Sequence, residues 1–496
     1  MENLFLSLQK NKQFKRQILI LRHLNSIPYK ISTNQLAQIA NCSLPTVRDD
    51  IESLNMDLVD YIEISYPSFG DVILMHKKET TINALITILT KKTIVYQIID
   101  SIFHNRVSSF QSALLHLSVS RTHLQQVLRY MNRILKSFRI SISAKGFSFN
   151  GREEDIRVFL FSFYSEFGDR SIVSKDSSIH VKQFLQMYTQ ANLPSLYFCH
   201  FRLALWTSIT RLRRESRHFV NLPKEVIHEV IERDSFLKFS TAIQAFYQKQ
   251  SLQKTLSIDE VVWKYITALD CIAYTNVVSF MGTPHHFAYR WEENPDIIAE
   301  AHQFLGNVFP QTKELIETNM LDILEAYLVN LRLLSKVSPN FEIMEPELKV
   351  MTVNMYTKLY STWHEQLVSL PHDTYFKFSK LDDIAVSLTL FHASILKQKQ
   401  RTKKLHILFA FQGRVGFDDY LAKFSQTLVT ENIRADYFLE QVIDEEAIVQ
   451  SGADLVVCNY DLHIEEENIC PIIRIPNIPS FVDWGKVRNI IEQLTH

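Results

Sequence analysis

Residues 115–150, LHLSVSRTHLQQVLRYMNRILKSFRISISAKGFSFN, constrain the fold of this chain more than any other stretch. Leu124, Val127, Leu128, Met131, Ile134 and Leu135 recur at helical spacing and form one apolar stripe. Ser120 stands just before that stripe as an N-cap. The opposite face carries Arg121, Thr122, Gln125, Arg129, Arg133 and Lys136. Alternating residues then run from Arg139 to Ser143 and from Phe147 to Phe149, joined by Ala144-Lys145-Gly146, which predicts a hairpin with Lys145 at its tip. A capped helix followed by a small hairpin is the order of a winged helix-turn-helix. Arginine and glutamine pair bidentately with guanine and adenine edges in a major groove. This assigns Arg121, Thr122 and Gln125 to base edges, and Arg129, Arg133, Lys136 and Lys145 to phosphates. A surface helix beside a ribbon would give the same local pattern, so the reading needs a second, independent sign.

Residues 12–76 supply it. A helix is expected over 14–24, with Ile18, Leu21 and Leu24 inward. Ser32-Thr-Asn-Gln35 has capping-box spacing before Leu36, Ile39 and Ala40. Asn41-Cys42-Ser43 makes a turn, and Pro45 suits the first turn of the next helix, whose buried stripe is Val47, Ile51 and Leu54. Thr46 and Arg48 lie near the exposed start of that helix, where a recognition helix meets bases. Two short strands around Ser68-Phe-Gly-Asp71 complete a wing. In the later unit the helices are expected over 82–103, 110–117 and 120–136. Asp49, Asp50 and Glu52 make the first recognition helix the weaker phosphate binder, so shape and bendability of the DNA should matter alongside sequence.

Charge agrees with this division. The net charge of the 496 residues is −1, yet residues 1–150 hold 18 Lys/Arg against 10 Asp/Glu, and the rest holds 35 against 44. A basic third on an acidic body fits a phosphate-binding module attached to a regulatory body. Only ten glycines favour a helix-dominated chain. The five cysteines lack CxxC spacing and the histidines lack ligand spacing, so neither a zinc site nor a disulfide framework is expected, and no metal or cofactor. No apolar run is long enough for a membrane span, and no signal-peptide core appears, which points to the cytoplasm. Walker, GxSxG and GxGxxG loops are absent, and the chain is not expected to be an enzyme.

From Arg152 to about Gln398 the pattern is helical, with breakers near Gly282-Thr-Pro284 and Asn294-Pro295 dividing two bundles. A basic linker over 397–404 leads to alternating strands and helices, expected to form a small α/β domain with a largely parallel sheet. The expected fold is therefore multidomain and mainly α. Its parts are winged helix-turn-helix units over 1–76 and 77–165, bundles over 170–285 and 290–398, and the α/β domain over 403–496.

This order resembles the Mga/AtxA family of virulence and metabolic regulators of Gram-positive bacteria. Residues 32–54, 120–135 and 199–211 (CHFRLALWTSITR) carry the resemblance. The last looks like the first histidine motif of a domain regulated by the sugar phosphotransferase system. The resemblance implies His200 as phosphoacceptor, with Arg202 or Arg211 nearby to answer the added charge, and His392 as a poorer second candidate. No histidine occupies residues 257–267, His285 and His286 sit at a breaker, and Asn330 stands where a histidine of the second bundle would fall. The α/β domain resembles an enzyme IIB component, but its loop over 411–416 lacks the phosphorylatable cysteine, which favours docking or dimerisation. The implied partners are double-stranded DNA, a second copy of the chain (with higher oligomers on DNA), phosphocarrier proteins of the sugar system and RNA polymerase. The alternatives are an RNA-binding antiterminator of the same regulatory class and a phosphotransfer component.

Overall fold

The computed structural model describes residues 4–495 except 27–29, 69, 79, 166–174, 192, 194–195, 197, 250–255, 275–278, 281–282, 285–289, 291–292, 309–319, 401–404, 413–416, 431–432, 440–442, 444, 461–469 and 477. The chain is mainly helical and divides into two compact units, Met1–Leu388 and Thr389–His496. The division falls inside the helix Leu381–Gln400. His285, His286 and the loop over 413–416 lie outside the described residues.

The first unit opens with α1 (Leu4–Leu8), α2 (Lys12–Ser26), α3 (Thr33–Ile39) and α4 (Leu44–Asp57). Ser32 caps α3 through the capping box with Gln35 that its spacing predicts, and Ser43 caps α4. Strand β1 (Ile31–Ser32) pairs with β3 (Asp71–His76), which also pairs with β2 (Ile62–Ser65), all antiparallel. The first wing therefore has three strands where the sequence pattern indicated two.

The helix expected over 82–103 is two helices, α5 (Ile82–Lys91) and α6 (Ile94–Phe103), bent by 78° at the break. Thr93 causes it. Its hydroxyl accepts from the Tyr96 backbone N–H at 3.3 Å, starting a new helix, while Gln9 donates to the same oxygen at 3.1 Å. Next come α7 (Phe110–Leu117), α8 (Arg121–Leu135) and the hairpin of β4 (Ser141–Ser143) and β5 (Ser148–Asn150). The left-handed residue of the hairpin loop is Phe147, at φ 45°, rather than Gly146. Its ring is 1% exposed, so burial of the aromatic side chain outweighs the backbone cost. Gly151, at φ 147°, carries the chain out of β5. A Cβ there would lie 2.9 Å from Ile140 Cγ2 and 3.0 Å from Arg139 O, so only glycine fits.

Helix α9 (Glu153–Ser165) follows, and its periodicity is misleading. Residues over 156–167 have the pattern of a half-exposed amphipathic helix, but Glu154 to Phe161 are all buried, with Phe163 and Tyr164. Arg157, which is 0% exposed on its side chain, donates to both oxygens of Glu260 at 3.0 and 2.7 Å and to Glu153 at 3.0 Å. Arg213 closes on Glu153 at 2.9 and 2.7 Å. Burial pushes the Glu153 carboxyl up, but the two guanidinium groups more than offset it and hold it below the usual range. One apolar core runs from Phe5 to Val337, joining both N-terminal units to the helical body.

The helical body comprises helices from Lys175–Gln190 to Leu381–Gln400. In the second unit, strands Ile472–Arg474, Leu455–Cys458, Leu405–Phe411 and Ile433–Leu439 lie side by side in that order, all parallel. Leu405, Ile407, Phe409 and Phe411 face one apolar cluster, and Leu408 and Ala410 the other, so both faces of the sheet are covered.

Breaking the buried ion network from one side should be costly. We expect Arg157→Met to destabilise the first unit by ~3–5 kcal/mol, because Glu260 is left without its bidentate buried cation and Glu153 keeps only Arg213. Arg157→Met with Glu260→Met should recover much of that loss in chemical denaturation followed by tryptophan fluorescence.

Candidate nucleic-acid interface

The two N-terminal units superimpose in sequence at a constant offset of 77 residues. The N-cap Ser32 corresponds to Ser109, and both close capping boxes. Left-handed Asn41 (φ 48°) corresponds to left-handed Ser118 (φ 52°), which makes the turn between the two helices. Ser43 corresponds to Ser120, the N-caps of α4 and α8. Twelve residues further on, Asn55 and Asn132 perform the same task. Asn55 donates to Ile64 O at 2.8 Å and accepts from Ile64 N at 2.7 Å. Asn132 donates to Ile142 O at 3.0 Å and accepts from Ile142 N at 2.7 Å. Each amide side chain thus satisfies both backbone groups of one strand residue and fixes the wing against the recognition helix.

Register makes the solvent faces comparable position by position. Leu44, Glu52, Met56 and Val59 on the α4 side correspond to Arg121, Arg129, Arg133 and Lys136 on the α8 side, and all four basic residues are exposed. Pro45 corresponds to Thr122, Arg48 to Gln125 and Asp49 to Gln126. The exposed first face is therefore mixed and partly apolar, with Met56 75% exposed. The second is uniformly basic and amide-bearing. No carboxylate occurs between Asp100 and Glu153, while eight Lys/Arg lie in that interval.

Most of the sequence-predicted residues fall on these faces. Arg121 lies over the Phe110 ring at 5.9 Å, and Arg133 over Tyr130 at 5.1 Å. Thr122 and Arg129 are exposed, Gln125 is half-buried, and Lys145 is exposed at the tip of the second hairpin. Thr46 is half-buried, and its hydroxyl bonds Ser43 Oγ at 2.8 Å, so it serves the cap of α4. Arg48 is exposed. Asp50, counted among the acidic residues of that helix, is 0% exposed and held by Arg16 of α2, with Nη2 at 3.1 Å from Oδ1. Sequence reasoning missed exposed His123 and Gln126 on α8. The 77-residue register, once drawn, would have found both.

The histidine candidates belong to different compact units. His200 is exposed and opens the helix His200–Glu215, whose N-cap Cys199 makes no side-chain capping bond. His392 is half-buried on Leu381–Gln400. The two arginines expected to answer a phosphate at His200 are occupied. Arg202 donates to Asp270 Oδ1 at 2.6 Å and to its carbonyl at 2.7 Å, and lies over the Phe161 ring at 4.8 Å. Arg211 sits three turns down the helix, 3.5 Å from Glu215. Asn330 is buried and donates to Tyr274 Oη at 2.7 Å.

Among the described residues no single helix is long and apolar enough to cross a membrane. The family model of the Mga helix-turn-helix domain matches residues 78–164, which are α5 to α9 with the second wing. A protein of Streptococcus pneumoniae serotype 4 named "Putative trans-acting regulator" is 20% identical over 473 residues, covering 91% of this chain and 92% of the relative.

If Asn132 fixes the second wing, its loss should be read locally. We expect Asn132→Ala to cost ~1–3 kcal/mol by leaving the Ile142 amide and carbonyl unpaired. Hydrogen exchange at the Ile142 amide should rise accordingly, with α2 to α4 unchanged.

Proposed function

Because the chain is an Mga-family transcription regulator with a helix-turn-helix DNA-binding domain, we propose that α8 is its principal groove-reading helix and α4 an auxiliary one. The observation that carries this reading is the exchange of four non-basic residues, on α4 and just past its end, for Arg121, Arg129 and Arg133 on α8 and Lys136 at its C-cap, at the same register positions. Phosphate affinity comes from cations that displace counterions, so the unit that gained them supplies most of the non-specific affinity. Arg121, Thr122 and Gln125 lie in the first turn and a half of α8, the part of a recognition helix that reaches base edges. Arg129, Arg133 and Lys136 follow along the helix, and Lys145 on the wing adds a further cation toward the backbone. Such a protein works on the chromosome, in the cytoplasm, as a regulator and not as an enzyme.

We further propose that the helical body makes this activity responsive to histidine phosphorylation by phosphocarrier proteins of the sugar phosphotransferase system. His200 is the acceptor this reading favours, since it is exposed at the uncapped start of a 16-residue helix, where backbone N–H groups favour an added negative charge. His392, being half-buried, is the weaker one. In this scheme the protein acts as a homodimer, with higher oligomers on DNA and RNA polymerase as further contacts. The C-terminal parallel sheet is a docking or dimerisation module in this scheme.

Salt titration of binding to a target promoter fragment separates the two roles of α8. We expect Arg129→Ala with Arg133→Ala to weaken binding to all sequences and to lower the slope of log K against log salt by about two. Arg121→Ala with Gln125→Ala should instead erase most of the preference for the target over random DNA. Unchanged binding in both double variants would remove α8 from the interface.

The histidine reading is tested separately. We expect phosphocarrier-dependent labelling of the wild-type chain to fall by at least half in His200→Ala, and promoter occupancy in His200→Asp to differ from that in His200→Ala. Undiminished labelling together with identical occupancy in wild type and both variants would dismiss His200 while leaving the DNA reading intact.

A further inference from the structure

The five cysteines are all reduced in this structure, but two of them face each other across the chain. Phe198 and Ile272 form an isolated antiparallel bridge, and Cys199 and Cys271 are the residues directly beside it. The Cys199 backbone N–H donates to the Cys271 carbonyl at 2.7 Å. This single backbone bond brings the two Cα atoms to ~5–6 Å, within the range a disulfide spans, while the Cys271 N–H stays in its own helix, on Ala268 O at 3.1 Å.

Each cysteine ends a helix. Cys199 is the N-cap of His200–Glu215, and Cys271 is the C-cap of Ile258–Asp270. Neither residue has been given a role in DNA contact or phosphotransfer. We propose that Cys199 and Cys271 are an oxidation site, forming a reversible intramolecular disulfide that ties these two helix ends together.

The surroundings divide the labour between the two sulfurs. Cys199 is half-buried and reachable by a small oxidant. Cys271 is fully buried, and its thiol donates to Thr267 O at 3.3 Å. Burial pushes the Cys271 thiol well above its ordinary range, so it stays protonated until it reacts. The guanidinium of Arg202, held in place by Asp270, is close enough to act electrostatically on both sulfurs.

With hydrogen peroxide as oxidant the step balances as follows. The Cys199 thiolate attacks one peroxide oxygen, the O–O bond breaks, and the departing hydroxide takes a proton to become water. Cys199 is then a sulfenic acid. The Cys271 sulfur attacks the Cys199 sulfur, the S–S bond forms and the S–O bond breaks. The second hydroxide leaves with the Cys271 proton as water. Two thiols lose two electrons to one peroxide. A thiol reductant reverses the change by exchange. In a reducing compartment such a bond is transient, which is the form cytosolic sensing disulfides take.

The other cysteines act as internal controls. Cys42 lies in the turn of the first unit, Cys458 in the central sheet of the second, and Cys470 ahead of its edge strand. The test uses the full chain treated with hydrogen peroxide, then blocked, digested without reductant and analysed by mass spectrometry. The expected result is a peptide pair joining Cys199 to Cys271, lighter by two hydrogens and lost on dithiothreitol. Amide exchange over 198–203 should slow several-fold in the oxidised chain. Cys199→Ser, a change at the half-buried member that keeps the buried one intact, should abolish both effects. Cys199 driven to sulfinic acid with Cys271 still reduced would overturn the proposal. So would a Cys199 or Cys271 link to any other cysteine, or slowed exchange that persists in Cys199→Ser. None of these readouts depends on DNA binding or on phosphorylation of His200.

Discussion

The carboxylate of Asp155 holds the recognition unit to the helical body. It is 1% exposed and accepts from Arg139 Nη2 at 2.5 Å, from Ser338 Oγ at 2.6 Å and from Asn340 Nδ2 at 3.3 Å. Arg139 is the left-handed residue that ends the α8 region and starts the second wing. Asn340 also donates to Phe138 O at 2.9 Å, one residue earlier. A buried carboxylate requires such partners, since an unpaired one would be expelled or neutralised. The pairing therefore fixes the position of α8 and its wing relative to residues 338–340, almost 200 residues away in sequence. Two residues along the same helix, Arg157 fixes Glu260 in the same manner. Helix α9 is thus clamped within a single turn to the wing before it and to the helices after it.

The duplicated N-terminal units show which parts of an interface sequence reasoning can see. Caps were legible because Ser32, Ser43 and Ser120 are chemically specific and sit at fixed distances from apolar stripes. The basic face of α8 was legible for the same reason. The asparagine clamp was not, although Asn55 and Asn132 stand at matching places. An asparagine on a helix has many uses, and only the strand opposite shows that this one replaces a pair of backbone hydrogen bonds. Asp50 misled in the opposite direction. It reads as a repulsive surface charge, yet Arg16, 34 residues earlier, holds it in the interior.

The failures elsewhere share a cause. The break at Thr93, the buried character of α9 and the left-handed Phe147 are all settled by groups distant in sequence. Local propensity favours an unbroken helix over 82–103, and Gln9 with the Thr93 cap overrules it. Helical periodicity assumes that charged residues mark the wet face, which fails when Arg157 and Glu154 are interior ions. The surroundings of His200 follow the same rule: Arg202, two residues away in sequence, is paired with Asp270, 68 residues further on.

This arrangement bears on how the body could influence the reading head. Rotation of α8 relative to the body must move Arg139 and Phe138, whose bonds end on Asp155 and Asn340. Residues 338–340 follow directly on the helix Met320–Val337. That helix carries Arg332, which is buried and bonded to Glu293 at 3.0 Å, the carboxylate that also takes Arg233. Lys336, one turn further, bonds Glu229 at 2.7 Å. Burial raises the Glu229 carboxyl, but Arg332 and Lys336 together pull it down to about 2. These pairs are discrete, directional contacts, so the helix cannot slide by small amounts without losing one of them. A body built this way either retains its register or exchanges it for another, and the wing of the second unit is attached to the end of the helix that decides.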